Sequence, residues 1–384
     1  MELTISRAEL NRLVQITESV VQKKTTMPVL SNILISAADG ILKVAASDME
    51  VTAVSSAKAK VIKPGSTTIN GKVFAEIVRE LPDTEVTLKL TDGERIEIRA
   101  NAIKMKVNGV SADEYPSLAG MNLQPRVRVP AKQLLEMISQ TMYSVSLDET
   151  RFTLGGVCFE VEVNGKGKSA ETALRMIATD GHRLAMITRP IAENLFHKDG
   201  KGADGSTGVI VPRKGLAEIK KIIGDREDSE VGIEIAEGFL VVDVEGTRLS
   251  MRLIDGVFPD YHQVLPKQKG TLAFVNRQEF TQALRRMALL VTDKAKCVKL
   301  EVAASGLRIS SSSPELGEAT EEIACQYKGS PLSVGFNAKY LLDVASAQTS
   351  ADQLCMELHG ELGPGKFYPE NDESCVAIVM PMRL

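Results

Sequence analysis

One glycine turn of this 384-residue chain sets two groups with acid–base potential close together: Asp180 and His182, in the string Ala178-Thr179-Asp180-Gly181-His182-Arg183-Leu184-Ala185. A carboxylate and an imidazole in one glycine turn could serve an acid–base pair or a metal site. The rest of the sequence offers that chemistry little support. The four histidines are His182, His197, His262 and His359, and none has a second histidine at the His-x-x-x-His spacing that puts two ligands on one helix face. There is no Gly-x-Ser-x-Gly elbow, no P-loop and no dinucleotide fingerprint. An Asp-Gly pair at a strand end is ordinarily a turn former. Cys158, Cys297, Cys325, Cys355 and Cys375 are dispersed without metal or redox spacing, as expected of free thiols in a reducing cytoplasm. The expectation is a protein with no catalytic residue, no metal and no cofactor. An enzyme using Asp180 and His182 remains the rival reading, to be separated by metal analysis and by His182→Ala.

The most repeated chemical feature is a lysine. It occurs in Asn70-Gly71-Lys72-Val73-Phe74-Ala75-Glu76-Ile77, in Pro212-Arg213-Lys214-Gly215-Leu216-Ala217-Glu218-Ile219 and in Asn337-Ala338-Lys339-Tyr340-Leu341-Leu342-Asp343-Val344. In each, an apolar residue follows two positions after the base, an acid two further on, and an aliphatic next. The intervals far exceed a solenoid unit of roughly 20–50 residues and imply whole repeated domains. A second triplet keeps the same order: Ser6-Arg7-Ala8-Glu9-Leu10, Pro130-Ala131-Lys132-Gln133-Leu134 and Asn276-Arg277-Gln278-Glu279-Phe280. Ser6 and Asn276 are good helix N-caps, and Pro130 fits a helix start. The pairs Leu10/Val14, Leu134/Ile138 and Phe280/Leu284 take the four-residue step of a buried helix face.

Each third therefore reads as helix, hairpin, strand, helix, hairpin, strand. Helices are expected over 7–22, 72–81, 131–142, 214–223, 277–290 and 339–347. Strands are expected over 33–36, 41–46, 86–90, 95–99, 156–163, 174–178, 231–235, 239–244, 298–303, 306–310, 353–358 and 375–380. Asn164–Thr172, His197–Gly208 and Gly360–Ser374 read as mobile surface insertions, with Lys166, Lys168, Lys198 and Lys201 as solvated charges.

Bulk composition agrees with a multidomain globular chain. It is 43% hydrophobic and 25% charged, with 4% aromatic residues and no Trp, so its cores must be aliphatic. No apolar run approaches the ~18 residues of a membrane span. The chain opens as a strand with Glu2 in place of a signal sequence, so a cytoplasmic location is expected. Net charge is −4, yet the helix windows 7–24, 212–226 and 277–290 are net positive and the other three are neutral. The excess acid lies elsewhere.

The string Ala178–Ala185, Val211-Pro212-Arg213-Lys214-Gly215, Phe258-Pro259-Asp260-Tyr261 and the terminus Met380-Pro381-Met382-Arg383-Leu384, in this order, resemble the bacterial DNA polymerase III beta subunit (beta sliding clamp) family over essentially the whole chain. The resemblance implies an α+β fold of three tandem clamp domains, 1–121, 122–268 and 269–384, with helices lining a ring and antiparallel sheets outside. It implies a head-to-tail homodimer that encircles double-stranded DNA without reading its sequence. The partners would be the polymerase III alpha subunit, a clamp loader and other proteins carrying a clamp-binding motif, with no membrane. A peptide-binding cleft between the second and third domains would map onto Leu154, Thr179, Gly181, His182, Arg183, Leu184, Pro259, Val264, Ile378, Val379, Met380, Pro381, Met382, Arg383 and Leu384. Pockets for apolar peptide anchors are expected at Leu184, Val379 and Met382. His262-Gln263 stands where many relatives carry arginine, which affects the polar edge of that cleft. Pro381 should leave the last residues outside the strand ladder.

On that reading the DNA-facing candidates are Arg12, Lys24, Lys72, Arg79, Lys132, Arg213, Lys214, Lys220, Arg285, Arg286 and Lys339, which would touch phosphates only. Leu289 and Leu290 are candidates for the apolar part of the dimer contact, or else fill the third core. A three-domain scaffold that binds peptides but never DNA is the second rival.

Overall fold

A computed structural model describes residues 1–21, 27–164, 171–196, 208–224, 226–292 and 296–384. Lys24, Lys166, Lys168, Lys198 and Lys201 lie outside the described residues, as do most of the insertions expected at 164–172 and 197–208.

The first third runs β1 (Glu2–Ser6), α1 (Arg7–Glu18), β2 (Asn32–Ala38), β3 (Ile41–Ser47), β4 (Val51–Lys58), β5 (Lys60–Lys63), β6 (Gly65–Asn70), α2 (Gly71–Glu80), β7 (Glu85–Thr91), β8 (Arg95–Ala100) and β9 (Ile103–Val110). The second runs β10 (Val127–Pro130), α3 (Ala131–Thr141), β11 (Gly156–Asn164), β12 (Glu171–Thr179), β13 (Arg183–Ile191), β14 (Gly208–Pro212), α4 (Arg213–Ile223), β15 (Glu230–Ala236), β16 (Phe239–Val244) and β17 (Thr247–Arg252). The third runs β18 (Thr271–Asn276), α5 (Arg277–Ala288), β19 (Cys297–Ala303), β20 (Gly306–Ser313), β21 (Gly317–Ile323), β22 (Cys325–Tyr327), β23 (Leu332–Asn337), α6 (Ala338–Ala347), β24 (Gln353–Leu358), β25 (Gly365–Pro369) and β26 (Cys375–Val379). One plan recurs three times: strand, helix, three-stranded meander, strand, helix, three-stranded meander. The first and third copies add a short extra strand, β5 and β22.

The helices form where the apolar spacing and caps direct. The Ser6 hydroxyl accepts from Glu9 N at 3.3 Å, and Asn276 Oδ1 accepts from Gln278 N and Glu279 N at 3.0 Å each. Asn70 and Asn337 cap α2 and α6 in the same way. Such caps satisfy backbone donors that have no partner within the helix. In α2, Gly71, Phe74, Ala75 and Val78 are buried, so Lys72, Glu76 and Arg79 face solvent. In α6, Ala338, Leu341, Val344 and Ala345 are buried and Lys339 is exposed. In α4, Gly215 allows a close approach: a Cβ there would lie 2.3 Å from the Met251 sulfur, so the methionine would have to move.

All ladders are antiparallel. One sheet has the order β10-β15-β16-β17-β4-β3-β2-β6-β9-β8-β7-β1-β5, a second β14-β11-β12-β13-β26-β25-β24-β18-β22, and a third β21-β20-β19-β23. The described residues cluster into two compact units. One is drawn from Met1–Leu135, Ala192–Gly205 and Lys214–Leu253, and holds the first sheet. The other is drawn from Glu136–Ile191, Ser206–Arg213 and Ile254–Leu384, and holds the other two. In the second unit, Phe280, Leu284 and Met287 of α5 and Leu341 and Val344 of α6 meet Val298, Leu300 and Val302 of β19 in one core.

Two expectations need correction. Gly360–Ser374 is not a surface insertion throughout, because β25 lies within it and buries Phe367 and Tyr368. Its glycines and acids mask a short aromatic strand. Helix α1 ends at Glu18, not at residue 22: the Ser19 hydroxyl turns back to Ile16 O at 2.9 Å.

Candidate functional site

The Asp180–His182 turn joins β12 to β13. Gly181 takes φ +87°, a left-handed value that favours glycine. Asp180 Oδ1 accepts from His182 N (2.9 Å) and Arg183 N (3.0 Å). Thr179 Oγ1 accepts from Gly181 N (3.1 Å) and donates to Arg183 O (2.6 Å). The carboxylate that could have done acid–base chemistry is thus spent on forming the turn. Its other oxygen, Oδ2, accepts from Arg183 Nε at 3.0 Å.

Arg183 is 8% exposed, and its guanidinium draws on three elements. Besides Asp180, Nη1 donates to Asp343 Oδ2 of α6 and Nη2 to Tyr143 O, each at 2.6 Å. The guanidinium also lies 4.4 Å from the centre of the Tyr340 ring, a favourable cation–π geometry.

This turn forms one wall of a hollow of about 140 Å³. Its lining includes Leu154, Thr179, Gly181, His182, Arg183, Leu184, Pro259, Val264, Ile378 and Met380, ten of the residues singled out for a cleft. Asp260 and Tyr261 complete it. Neither was among the sequence candidates, although Phe258-Pro259-Asp260-Tyr261 stood out as a motif. Tyr261 is buried; its hydroxyl donates to Glu160 Oε2 at 2.8 Å and accepts from Arg175 Nη1 at 3.1 Å. Burial, with Glu160 alongside, pushes its phenol up to about 12. At the rim, hydrogen bonds from Gln263 and His262 hold the Asp260 carboxyl below its ordinary range.

The remaining cleft candidates lie elsewhere. β26 alternates, so Ile378 faces the hollow while Val379 points into the core beneath α5 and α6. Met380 N still donates to His182 O at 3.0 Å. After Pro381 the tail leaves this sheet and joins another: Met382 N donates to Gly335 O of β23 at 2.8 Å in an isolated bridge. Met382, Arg383 and Leu384 are therefore outside the β26 ladder, yet Met382 is paired. Arg383 and Leu384 line a separate depression beside Cys297 and Lys299. Of the three anchor positions Leu184, Val379 and Met382, only Leu184 lines the hollow.

The repeated basic position differs between copies. Lys72 is 73% exposed, 3.9 Å from Glu76. Lys339 is exposed. Lys214 instead forms an ion pair with Asp48, whose side chain is fully buried at the end of β3. Among the other candidates, Arg12 is held by Glu9 (3.1 Å) and by Ser56 O (3.2 Å). Arg286 is held by Glu321, which raises its already high pKa. Lys220 is half-buried and has a partner. Arg79, Lys132, Arg213 and Arg285 are exposed, and none forms an ion pair among the described residues. Leu289 is 76% exposed at the end of α5, and Leu290 is half-buried; neither belongs to the third core.

Three family models match in succession. The N-terminal domain of the DNA polymerase III beta subunit matches residues 1–119, its central domain 128–260 and its C-terminal domain 262–383. The chain belongs to the DNA polymerase III beta subunit family, the beta sliding clamps. It is 32% identical to the beta sliding clamp of Caulobacter vibrioides over 386 residues and 31% identical to that of Escherichia coli, with 100% of each chain covered in both comparisons. Among solved structures, the DNA polymerase sliding clamp of Bacillus subtilis matches with a TM-score of 0.90 at 31% identity, over 100% of this chain and 99% of that one. A sliding clamp from Bartonella birtlesii bound to griselimycin matches with a TM-score of 0.89 at 29% identity, over 100% of both chains. The fold is accordingly the α+β fold of the clamp family. No helix among the described residues is long and apolar enough to cross a membrane.

Proposed function

We propose that this clamp encircles duplex DNA as a closed homodimer and tethers its partners through the apolar hollow beside the Asp180–His182 turn. The observation that carries the DNA reading is the repeated helix face. Lys72 and Lys339, at equivalent positions, point away from their cores while the chain as a whole is acidic. Duplex DNA presents a phosphate charge about every 1.7 Å of axis. Exposed lysines on helices can meet those charges one at a time without fixing the register, and enclosure supplies the retention that weak contacts do not. The chain has no nucleotide-binding motif, so ring opening would be the work of a separate loader. Arg79, Lys132, Arg213 and Arg285 complete the preferred set, and Lys214 is the least available member.

Three domains, 1–121, 122–268 and 269–384, would each supply one copy of this face. Head-to-tail closure is supported by two open strand edges of opposite charge. Among the described residues β21 pairs only with β20 and carries Glu318, with Glu321 and Glu322 beside it paired to Arg286 and Arg308. Among the described residues β9 meets β6 only at Gly109 and Val110, leaving an edge with Lys106 exposed and Lys104 paired to Glu97. Unlike edges of this kind favour a heterologous contact, and exposed Leu289 offers it an apolar centre.

The hollow is smaller than the roughly 300–1,000 Å³ of sites that enclose a whole small molecule. It suits one or two apolar side chains of a linear segment. Each buried anchor contributes about 1.5–3 kcal/mol, which after ordering costs corresponds to micromolar binding and ready exchange of partners. The polymerase alpha subunit, the loader and repair proteins would compete for it. The proposed site is cytoplasmic and non-catalytic.

The deciding experiment is retention on circular DNA. The loaded protein should stay on nicked plasmid through gel filtration and run off when the plasmid is linearised. Equal loss from circles and linear molecules would leave a peptide-binding scaffold as the better reading.

A further inference from the structure

We propose that Asp343 is a positioning residue for the hollow, acting on it only through Arg183. This rests on the hollow being the partner site. Asp343 does not line the hollow, whereas the turn from Thr179 to Leu184 forms one of its walls. That turn is tied to its surroundings by the β26 ladder, by Met380 N to His182 O, by Arg151 Nη1 to Asp180 O and, through side-chain charge, by the Arg183 guanidinium. Two of its three directed bonds go to the turn's own Asp180 and to the Tyr143 carbonyl. The third, at 2.6 Å, goes to the Asp343 carboxylate of α6, which brings a charge from outside the turn. α6 also supplies the Tyr340 ring, one helical turn before Asp343, against the guanidinium face. The helix thereby sets both the height and the rotation of Arg183, and Arg183 sets the wall.

The triplication shows that this role belongs to one copy. Asp343 occupies the repeated acid position, four residues after the repeated lysine. In the first copy Glu76 lies 3.9 Å from Lys72 of its own helix, exposed to solvent. In the second Glu218 is buried and bonds the Ser19 hydroxyl and Lys221, each at 2.6 Å. Among the described residues, only in the third copy does the acid pair with a cation outside its own helix, an arginine 160 positions earlier in sequence. Aspartate is shorter than the glutamates of the other copies. That limits its reach to a partner brought close to the helix, as Arg183 is.

The test uses the full-length chain, with griselimycin as the probe titrated by calorimetry. Asp343→Ala should weaken binding by about tenfold, the scale of one charge-assisted hydrogen bond. Asp343→Asn, which keeps an acceptor for Arg183 Nη1, should recover most of that loss. Backbone amides of Gly181–Arg183 should exchange faster in Asp343→Ala by more than any fall in its urea midpoint accounts for. Wild-type affinity in Asp343→Ala, or an equal loss in the alanine and asparagine variants, overturns the proposal. Val264→Glu, a substitution at the exposed rim, separates the two readings. If it abolishes binding while Asp343→Ala does not, only the positioning role fails. If it too leaves binding intact, the hollow is not the site.

Discussion

Lys214 and Asp48 offer the sharpest test of how the triplicated lysine has diverged. The Asp48 side chain is fully buried, and Oδ1 accepts from Glu50 N (3.0 Å) and Val51 N (2.7 Å). Lys214 supplies the only side-chain cation that bonds its other oxygen among the described residues. Removing one partner of a buried ion pair costs about 3–5 kcal/mol, because a desolvated charge is left behind. Lys214 is 40% exposed, so water recovers part of that cost. Lys214→Met should then destabilise its unit by about 2 kcal/mol, and Lys214→Glu, which sets a second carboxylate against Asp48, by about 3–4 kcal/mol. For a body of this size that is a fall of about 4–16 °C in Tm. Lys72→Glu, at a 73% exposed site, should remain within about 0.5 kcal/mol of wild type. Urea transitions of the three variants measure the contrast. Adding Asp48→Asn to Lys214→Met should restore part of the loss, as coupled partners do in a double-mutant cycle. If Lys214→Glu is as stable as Lys72→Glu, the pair does not bind as described and Lys214 returns to the DNA-facing set.

The remaining predictions concern DNA, closure and the hollow. Lys72→Glu with Lys339→Glu should shorten retention on nicked circles and reduce its salt dependence without changing either urea midpoint; unchanged retention would count against those helices facing DNA. Leu289→Asp should raise the dimer dissociation constant by at least about tenfold in sedimentation velocity, since a charge replaces a central apolar contact; an intact dimer would move the interface elsewhere. Deleting Met380 to Leu384 should abolish binding of a partner peptide at the proposed site, because it removes Met380 from the hollow and the Met382 bridge to Gly335 while leaving the paired strand β26. Wild-type affinity in calorimetry would show that the tail is dispensable.

Much of the fold was legible because it is written in local periodicity. Leu10 and Val14, Phe74 and Val78, and Phe280 and Leu284 mark buried helix faces by spacing alone, and Ser6 and Asn276 mark where helices start. Two of the strands outside the expected set lack an apolar alternation. β21, Gly-Glu-Ala-Thr-Glu-Glu-Ile, is held by its ladder with β20, and β25 hides its two aromatics among glycines and acids. Through the family resemblance, the lining of the hollow was legible at Thr179, Gly181 to Leu184, Pro259 and Val264, and not at Asp260 and Tyr261. It was not legible at Val379, because a strand sends neighbours to opposite faces and sequence does not say which face is which.

What the sequence determined by itself is the threefold plan, the caps and the exposed lysine on each second helix, since all of these depend on residues within one or two helical turns. Tertiary structure decided which lysine is free and which acid is recruited. Lys72, Lys214 and Lys339 are equivalent in their helices, yet only Lys214 meets a buried aspartate, and only Asp343 among the repeated acids meets an arginine of another repeat. Those meetings join residues more than 150 positions apart. The energy of a charge depends on what stands within a few ångströms of it, and that is fixed only once the sheets have brought distant segments together.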